Sequence, residues 1–235
     1  MGKSQLQLML CLLVLCLTSP LLSECHITFR SIRVMEDNQD RFAEKVINRA
    51  GCKIDKIVST VPVSLYRRMD LLERGAIDLI VGVNQRPERE AYAYFSIPVD
   101  EERIVLWARA GQQDKFIGKN LDELLAEGHT ILGPDSGWYG PEYKRLRESG
   151  HKQIILYSDI KKSLSIFHKG RADLILGSEY FEEYFADAYR DKTVRLPLIV
   201  HRDKLHFMYS KKTVPEETVK QIDEAIKAEL KSSGQ

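Results

Sequence analysis

The chain has 235 residues, with 35 basic against 34 acidic side chains and a formal net charge of +1. Charges of both signs are interspersed, so there is no electrostatic case for nucleic acid as a partner. The length suits one large domain or two small lobes.

The first residues read as a leader rather than as fold. Lys3 is the only charge before an apolar run from Leu6 to Leu17, and Pro20 and Ser23 follow before Glu24. The run is shorter than the roughly 20 apolar residues needed to span a bilayer. It has the form of a secretory signal peptide over residues 1–23, the alternative being an N-terminal membrane anchor. Leu22-Ser23-Glu24-Cys25 also resembles a lipoprotein cleavage box, but Glu24 stands where such boxes take Gly or Ala. Export would put the chain in the periplasm, where disulfides persist. Cys11 and Cys16 lie in the leader, leaving Cys25 and Cys52. Cys25 opens the first strand and Cys52 precedes the second. Neighbouring strands of a parallel sheet start at the same edge, so a Cys25–Cys52 disulfide is expected; the alternative is two buried thiols.

In chain order, residues 27–34 read as a strand, 40–50 as a helix with Phe42, Val46 and Ile47 on one face, and 54–60 as a second, β-branched strand. Gly51 suits the position after the helix end. Pro62 is expected at a first helical position, followed by Leu65, Met69 and Leu72 at helical spacing. Gly75 turns the chain into a nearly all-apolar strand, 77–83, of the kind covered on both faces. The first lobe is therefore βαβαβ. Strands at 91–96 and 103–109 follow, then a polar connection at 111–118. A second α/β series has a helix at 121–126, a strand at 130–132, a loop at 133–140 and a helix entered through Pro141. A strand at 154–157 follows, then a helix capped by Ser158 and bearing Ile160, Leu164 and Phe167, and a strand at 172–176. Next come a helix at 179–189, a strand at 205–209 and a terminal helix at 215–231 with Val219, Ile222, Ile226 and Leu230 on one face.

One segment occurs twice. Gly75, Asp78, Leu79, Ile80 and Gly82 recur at the same spacing as Gly170, Asp173, Leu174, Ile175 and Gly177. Each copy closes a helix, turns on glycine and enters a short apolar strand. An internal repeat of this kind points to two lobes of like architecture, and a cleft between lobes is where small molecules bind.

The order of pieces resembles the bacterial extracellular solute-binding proteins of family 3, periplasmic receptors that deliver amino acids and similar polar solutes to ABC importers. The resemblance runs from about Ala43 to Gly234. It is carried by the helix–Gly–x–Ile–Asp strand at 71–82, and by Pro87-Glu88-Arg89 with Tyr94-Phe95-Ser96-x-Pro98. Further carriers are Gly170-Arg171-Ala172-Asp173, and His206 to Lys212 followed by the Pro215 helix. It implies an α/β, two-lobed periplasmic binding protein fold of type II, each lobe a mostly parallel sheet flanked by helices. Lobe one would be discontinuous, residues 24–108 and 201–235, and lobe two would be 109–200, with crossovers near 107–109 and 198–202. It also implies no catalysis and no cofactor, a small amino acid or other carboxylate as ligand, and a monomer serving an inner-membrane ABC permease or a sensor protein.

Ligands of open α/β sheets sit beyond the carboxyl ends of the strands. That edge carries Asn84 to Arg89 in lobe one, and Asp135 to Tyr139 with Ser178 and Glu179 in lobe two. Arg89 matches the family arginine that clamps the solute's carboxylate, a task suited to a planar guanidinium fork; the plainer alternative is a surface arginine between solvated Glu88 and Glu90. Asn84 either hydrogen-bonds ligand or caps a turn. Asp135, Ser136 and Gly137 precede a helix, so their N–H groups are expected to face the cleft. Trp138 and Tyr139 either stack on ligand or pack between lobes. The family's aspartate for the solute's ammonium is absent: Ser178 stands there, followed by Glu179, which either substitutes for it or is simply the first acid of a helix. Arg86, three positions from Arg89, suits a more anionic solute than an α-amino acid.

Two other classes compete. A few members of the family are dehydratases; here Asp135 and Glu179 would be the only evident acid–base groups. A sensory receptor domain on the same scaffold is the second. His129, His151 and His168 are scattered, without metal-ligand spacing.

Overall fold

The computed structural model describes residues 28–33, 38–58, 63–185 and 187–233. The signal segment, Cys25 and Pro62 lie outside the described residues. Among the described residues no helix is long and apolar enough to cross a membrane.

The chain divides into two compact units. One holds the described residues up to Val99 and those from His206 onward; the other is the continuous segment Asp100–Leu205. The chain passes between units at Val99–Asp100 and at Leu205–His206. The segments near 107–109 and 198–202, read from the sequence as crossovers, are strand interior within the second unit.

The first unit opens with β1 (Thr28–Arg33), α1 (Asn38–Arg49), β2 (Lys53–Val58), α2 (Leu65–Glu73) and β3 (Leu79–Asn84), the βαβαβ order read from the sequence. β1 and β2 pair in parallel, Thr28 opposite Lys53. α2 starts at Leu65 with Ser64 as its cap, whose hydroxyl accepts the Arg67 N–H at 3.2 Å. A short helix α3 (Pro87–Glu90) and strand β4 (Ala93–Phe95) follow. β4 runs antiparallel to the last part of β9 (Thr193–Ser210), and α8 (Glu216–Ser233) closes the unit. β3 is apolar on both sides because both are covered. Leu79 joins Phe29, Val46, Phe207, Tyr209, Ile222 and Ile226 on one side, and Ile80 and Val83 join Leu72, Ala93 and Met208 on the other.

The second unit begins with β5 (Asp100–Arg109) and contains α4 (Leu121–Ala126), β6 (Ile131–Pro134), α5 (Pro141–Glu148), β7 (Ile154–Tyr157), α6 (Ile160–His168) and β8 (Leu174–Ser178). β6 pairs in parallel with β7 and β8, while β5 is antiparallel to β8 and β9. Strands of both directions therefore occur, with helices against the sheet. β5 alternates cleanly. Ile104, Leu106 and Ala108 pack with Phe116, Leu124, Leu146 and Leu196, whereas Val105 and Trp107 pack with Leu164, Phe167, Ile175 and Phe185.

Three local readings change. The cap of α6 is Asp159, whose carboxylate accepts the Lys162 N–H at 3.2 Å, rather than Ser158. The segment after β8 is a 3-10 helix, Glu179–Tyr184, followed by a separate one-turn helix α7 (Asp187–Arg190), not one α-helix. The 111–118 connection carries a 3-10 turn at Gln113–Lys115. The largest difference is β9, an 18-residue strand of which the sequence reading found only 205–209. Val194, Leu196, Leu198 and Val200 alternate onto the second unit's core, but Pro197 interrupts the pattern. A proline cannot donate to a ladder, and the β5–β9 register shifts on either side of Val105, opposite this stretch.

Candidate functional site

The repeat aspartates hold each unit's sheet together. In the first unit Asp78 Oδ2 accepts the backbone N–H of Arg30 at 2.8 Å and its Nε–H at 2.8 Å, while Oδ1 takes Nη2 at 2.7 Å. In the second, Asp173 Oδ2 accepts the backbone N–H and the hydroxyl of Thr130, both at 2.9 Å. Asp78 thus ties into β1, and Asp173 to the residue just before β6. Burial works to raise both pKa values, but the hydrogen bonds from Arg30 and Thr213, and from Thr130, hold both carboxyls below the ordinary aspartate range. Gly75 and Gly170 make equivalent turns at φ +73° and +74°, a region open to glycine. Gly82 and Gly177 leave room for Gln39 and Phe181, whose atoms lie 2.0 and 1.8 Å from where a Cβ would stand.

The carboxyl end of β3 delivers the first group of candidates. The residue before a proline is driven to extended backbone, and Arg86, preceding Pro87, has φ −141° and ψ 142°. The chain then turns through α3, with the Arg89 N–H donating to the Arg86 carbonyl at 3.0 Å. The Arg89 guanidinium folds back on the strand end, Nη1 donating to the Asn84 carbonyl at 2.7 Å. Arg86 Nη1 donates to the Gln85 carbonyl at 2.9 Å. Glu88 and Glu90 are exposed, Arg89 is half-buried, and among the described residues Arg89 makes no ion pair. The Asn84 amide nitrogen is buried with no hydrogen-bond partner among the described residues. Its backbone carbonyl, not its side chain, organises the turn. Burial lowers the pKa of both arginines, and the charge of Arg89 lowers that of Arg86 further; both remain guanidinium ions.

In the second unit, Asp135, Ser136 and Gly137 are exposed beyond β6. The Asp135 N–H donates to the Tyr157 carbonyl at 2.9 Å, so it is engaged in the sheet rather than offered to a ligand. The α5 cap is Gly140 and its first residue Pro141, which separates the 135–137 loop from the helix end proper. The two aromatic rings have partners inside this unit. Trp138 Nε1 donates to His201 Nε2 at 3.2 Å with the rings edge-on, and Tyr139 stands edge-on to Tyr143. The Ser178 hydroxyl accepts the Tyr180 N–H at 3.2 Å and caps the 3-10 helix. Glu179 accepts the Arg103 backbone N–H at 3.2 Å and pairs with Arg103 Nη1 at 3.4 Å and Arg195 Nη1 at 3.0 Å. Its side chain is 11% exposed. Reading the sequence missed Arg103, Arg195 and His201. The alternation over 194–200 was the available signal, since it would have set β9 beside β5.

Among the described residues no group of three or more His, Cys, Asp or Glu side chains is arranged to hold a metal ion.

No protein-family model matches the chain, and no curated protein matches it in sequence. Solved structures do match. A probable amino-acid ABC transporter extracellular-binding protein from Bacillus subtilis superposes with a TM-score of 0.69 at 12% identity, over 89% of this chain and 94% of that one. A histidine kinase sensor domain with similarity to periplasmic binding proteins gives 0.66 at 15% identity, over 89% and 92%. An L-arginine-bound amino acid ABC transporter substrate-binding protein from Streptococcus pneumoniae gives 0.63 at 19% identity, over 83% and 78%. The chain has the two-lobed fold of periplasmic binding proteins.

Proposed function

We propose that the chain is a solute-binding protein that captures a small polar, carboxylate-bearing solute, with Arg89 as the carboxylate clamp. The observation that carries this reading is the state of Arg89. It sits at the carboxyl end of β3, where ligands of such sheets bind, half-buried and without an ion pair among the described residues, the exposed Glu88 acting on it only through space. A guanidinium partly withdrawn from water and without an ion-paired carboxylate is a place where an anion is stabilised. Asn84 and Arg86 would assist in the first unit. Within the second unit the exposed Asp135, Ser136 and Gly137 loop and the internally partnered Ser178, Glu179, Trp138 and Tyr139 stand beyond the strand ends of their own sheet. The similar proteins are named for binding and sensing, which supports a role without catalysis.

A thermal-shift screen over amino acids, dicarboxylates and other small anions tests the reading. A true ligand present at a hundred times its Kd stabilises by about 2.7 kcal/mol, and Arg89→Ala abolishes that shift. A ligand that binds Arg89→Ala as well as the parent removes the clamp; chemical change of the ligand during incubation moves the case to an enzyme.

Delivery to an inner-membrane ABC permease is the partner reading that goes with this fold's amino-acid-binding members. The likeness to a histidine kinase sensor domain favours a second one, presentation of the liganded form to a membrane signalling protein. Permease and ATPase genes beside this one favour the former, a kinase or cyclase gene the latter. Both place the mature protein in the periplasm after removal of residues 1–23. Intact mass of the exported protein checks the cleavage, and the same unreduced sample checks a Cys25–Cys52 disulfide. Cys52 is buried, and β1 and β2 are parallel neighbours; a mass two hydrogens heavier than the bridged form rejects the pair.

A further inference from the structure

We infer that His168 is an acid-sensitive latch: its neutral ring holds the segment Asp187–Thr193 against the end of α6, and a second proton on the ring releases that segment. His168 is the last residue of α6 and is partly buried. Its ring lies flat on Tyr189 of α7, with centroids 4.3 Å and planes 3° apart, and meets Phe167 edge-on at 5.0 Å. Its Nε2 stands 3.0 Å from the Thr193 hydroxyl at the start of β9. A threonine hydroxyl has a single proton to give, and this one goes to the Tyr189 carbonyl at 2.9 Å. Nε2 therefore carries the ring hydrogen and donates it to Thr193, which leaves Nδ1 bare in the neutral ring. One imidazole thus ties α6 to α7 and to the first residue of β9.

A helix carboxyl end ordinarily favours an imidazolium, but here another cation holds that place. Arg109 Nη1, from β5, donates to the Phe167 carbonyl at 3.0 Å and to the Ala172 carbonyl at 2.6 Å. Its guanidinium carbon lies 4.9 Å from the centre of the Phe167 ring. Asp173, 3.7 Å from Arg109 Nη2, is only loosely paired with it. Lys192, in the turn before β9, is the other charge acting on His168; both are positive, and among the described residues no carboxylate acts on the ring. The face of Tyr189 favours an imidazolium. Partial burial, then Arg109 and Lys192, work the other way and hold the pKa of His168 below that of a histidine in water. Opening the segment gives the ring to water, where it protonates more readily, so acid favours the open form. Opening grows as pH falls through the ordinary histidine value, about 6.5, and levels off below the folded one. The near end of the same excursion stays anchored, because Glu179 is paired with Arg103 and Arg195. Release is therefore local.

Hydrogen exchange of the full chain at about pH 8 and about pH 5, either side of the histidine range, tests this. Rates are corrected for the intrinsic effect of pH and read by mass spectrometry. Amides of 187–193 are expected to open more often at the lower pH, while those of β6 and β8 hold their protection. The increase is about tenfold for each unit by which the His168 pKa lies below that of the open segment, and NMR titration of the ring supplies that difference. His168→Gln, whose neutral amide can still donate to Thr193, is expected to abolish the increase. Lys192→Gln, at an exposed side chain, is expected to raise the His168 pKa and to shrink the increase. A His168 that titrates at or above the value of histidine in water overturns the inference. So does the absence of any increase, or one that His168→Gln leaves intact. An increase shared equally by β6 and β8 reports global unfolding and overturns it as well. If the melting temperature of His168→Gln at about pH 8 shows that it does not fold, Lys192→Gln decides alone: an unmoved titration and an unmoved increase overturn the latch.

Discussion

Asp78 and Asp173 recur in sequence and do related work: each supplies a side-chain acceptor to a backbone N–H in or just before a neighbouring strand, Arg30 within β1 and Thr130 ahead of β6. The recurrence was legible; its meaning was not, because the partners Arg30 and Thr130 lie far away along the chain. Replacing Asp78 with alanine strands a backbone donor and a guanidinium, and is expected to lower stability by about 2–3 kcal/mol in urea unfolding. Asp173→Ala, at a more exposed carboxylate hydrogen-bonded to the neutral Thr130 and only loosely paired with Arg109 at 3.7 Å, is expected to lose about 1 kcal/mol. The pH dependence has a definite sign. Both carboxyls have folded pKa values below their unfolded ones, so their contribution is complete above the unfolded value, about 4, and is lost as pH falls through the folded values. The melting temperature of the parent should therefore decline below about pH 4, and less steeply in Asp78→Asn. Equal slopes for the two proteins would remove Asp78 from the acid transition.

Helices and short central strands were readable at the element scale because each carries a complete local signal. α4 shows this well: Asn120 and Glu123 form a reciprocal capping box, and Leu121, Leu124 and Leu125 face the core. The first half of β9 and the break after β8 were not readable for opposite reasons. Pro197 sits inside an alternating run and hides a strand. The helical-looking segment after Ser178 is held to 3-10 geometry by the Ser178 cap and by Phe181, whose ring fills the space over Gly177. For the candidate residues, their places after strand ends were legible, but their bonding partners were not. Arg89 was placed by motif, while the engagement of Glu179 and Trp138 depends on the register between β5, β8 and β9. Gly177→Ala would drive a methyl into the Phe181 ring from a strand buried throughout. A loss of about 1–3 kcal/mol is expected from such overpacking, and Phe181→Ala in the same chain should restore part of it; full additivity of the two changes would show that the contact is not the cause.

At the scale of the whole molecule the two units differ in how the chain supplies them. The second is one uninterrupted stretch, Asp100–Leu205, and its two end residues are register partners in an antiparallel pair. Residues 100–205 expressed alone are therefore expected to give a cooperative thermal transition with native-like circular dichroism; a gradual, non-cooperative melt would show that the segment depends on the rest of the chain.

That pairing of Asp100 with Leu205 also bears on the order of assembly. The first unit's core needs Phe207, Tyr209 and Ile222 alongside Phe29 and Val46, groups separated by the whole inserted segment. Closing so long a loop in an unfolded chain is entropically unfavourable and slow. Once the β5–β9 pair has formed, that loop is already closed. The first unit, though its amino end is synthesised first, is then the last to finish. Pulse-labelling hydrogen exchange during refolding would show amides of β5, β6 and β8 protected before those of β1 and α1.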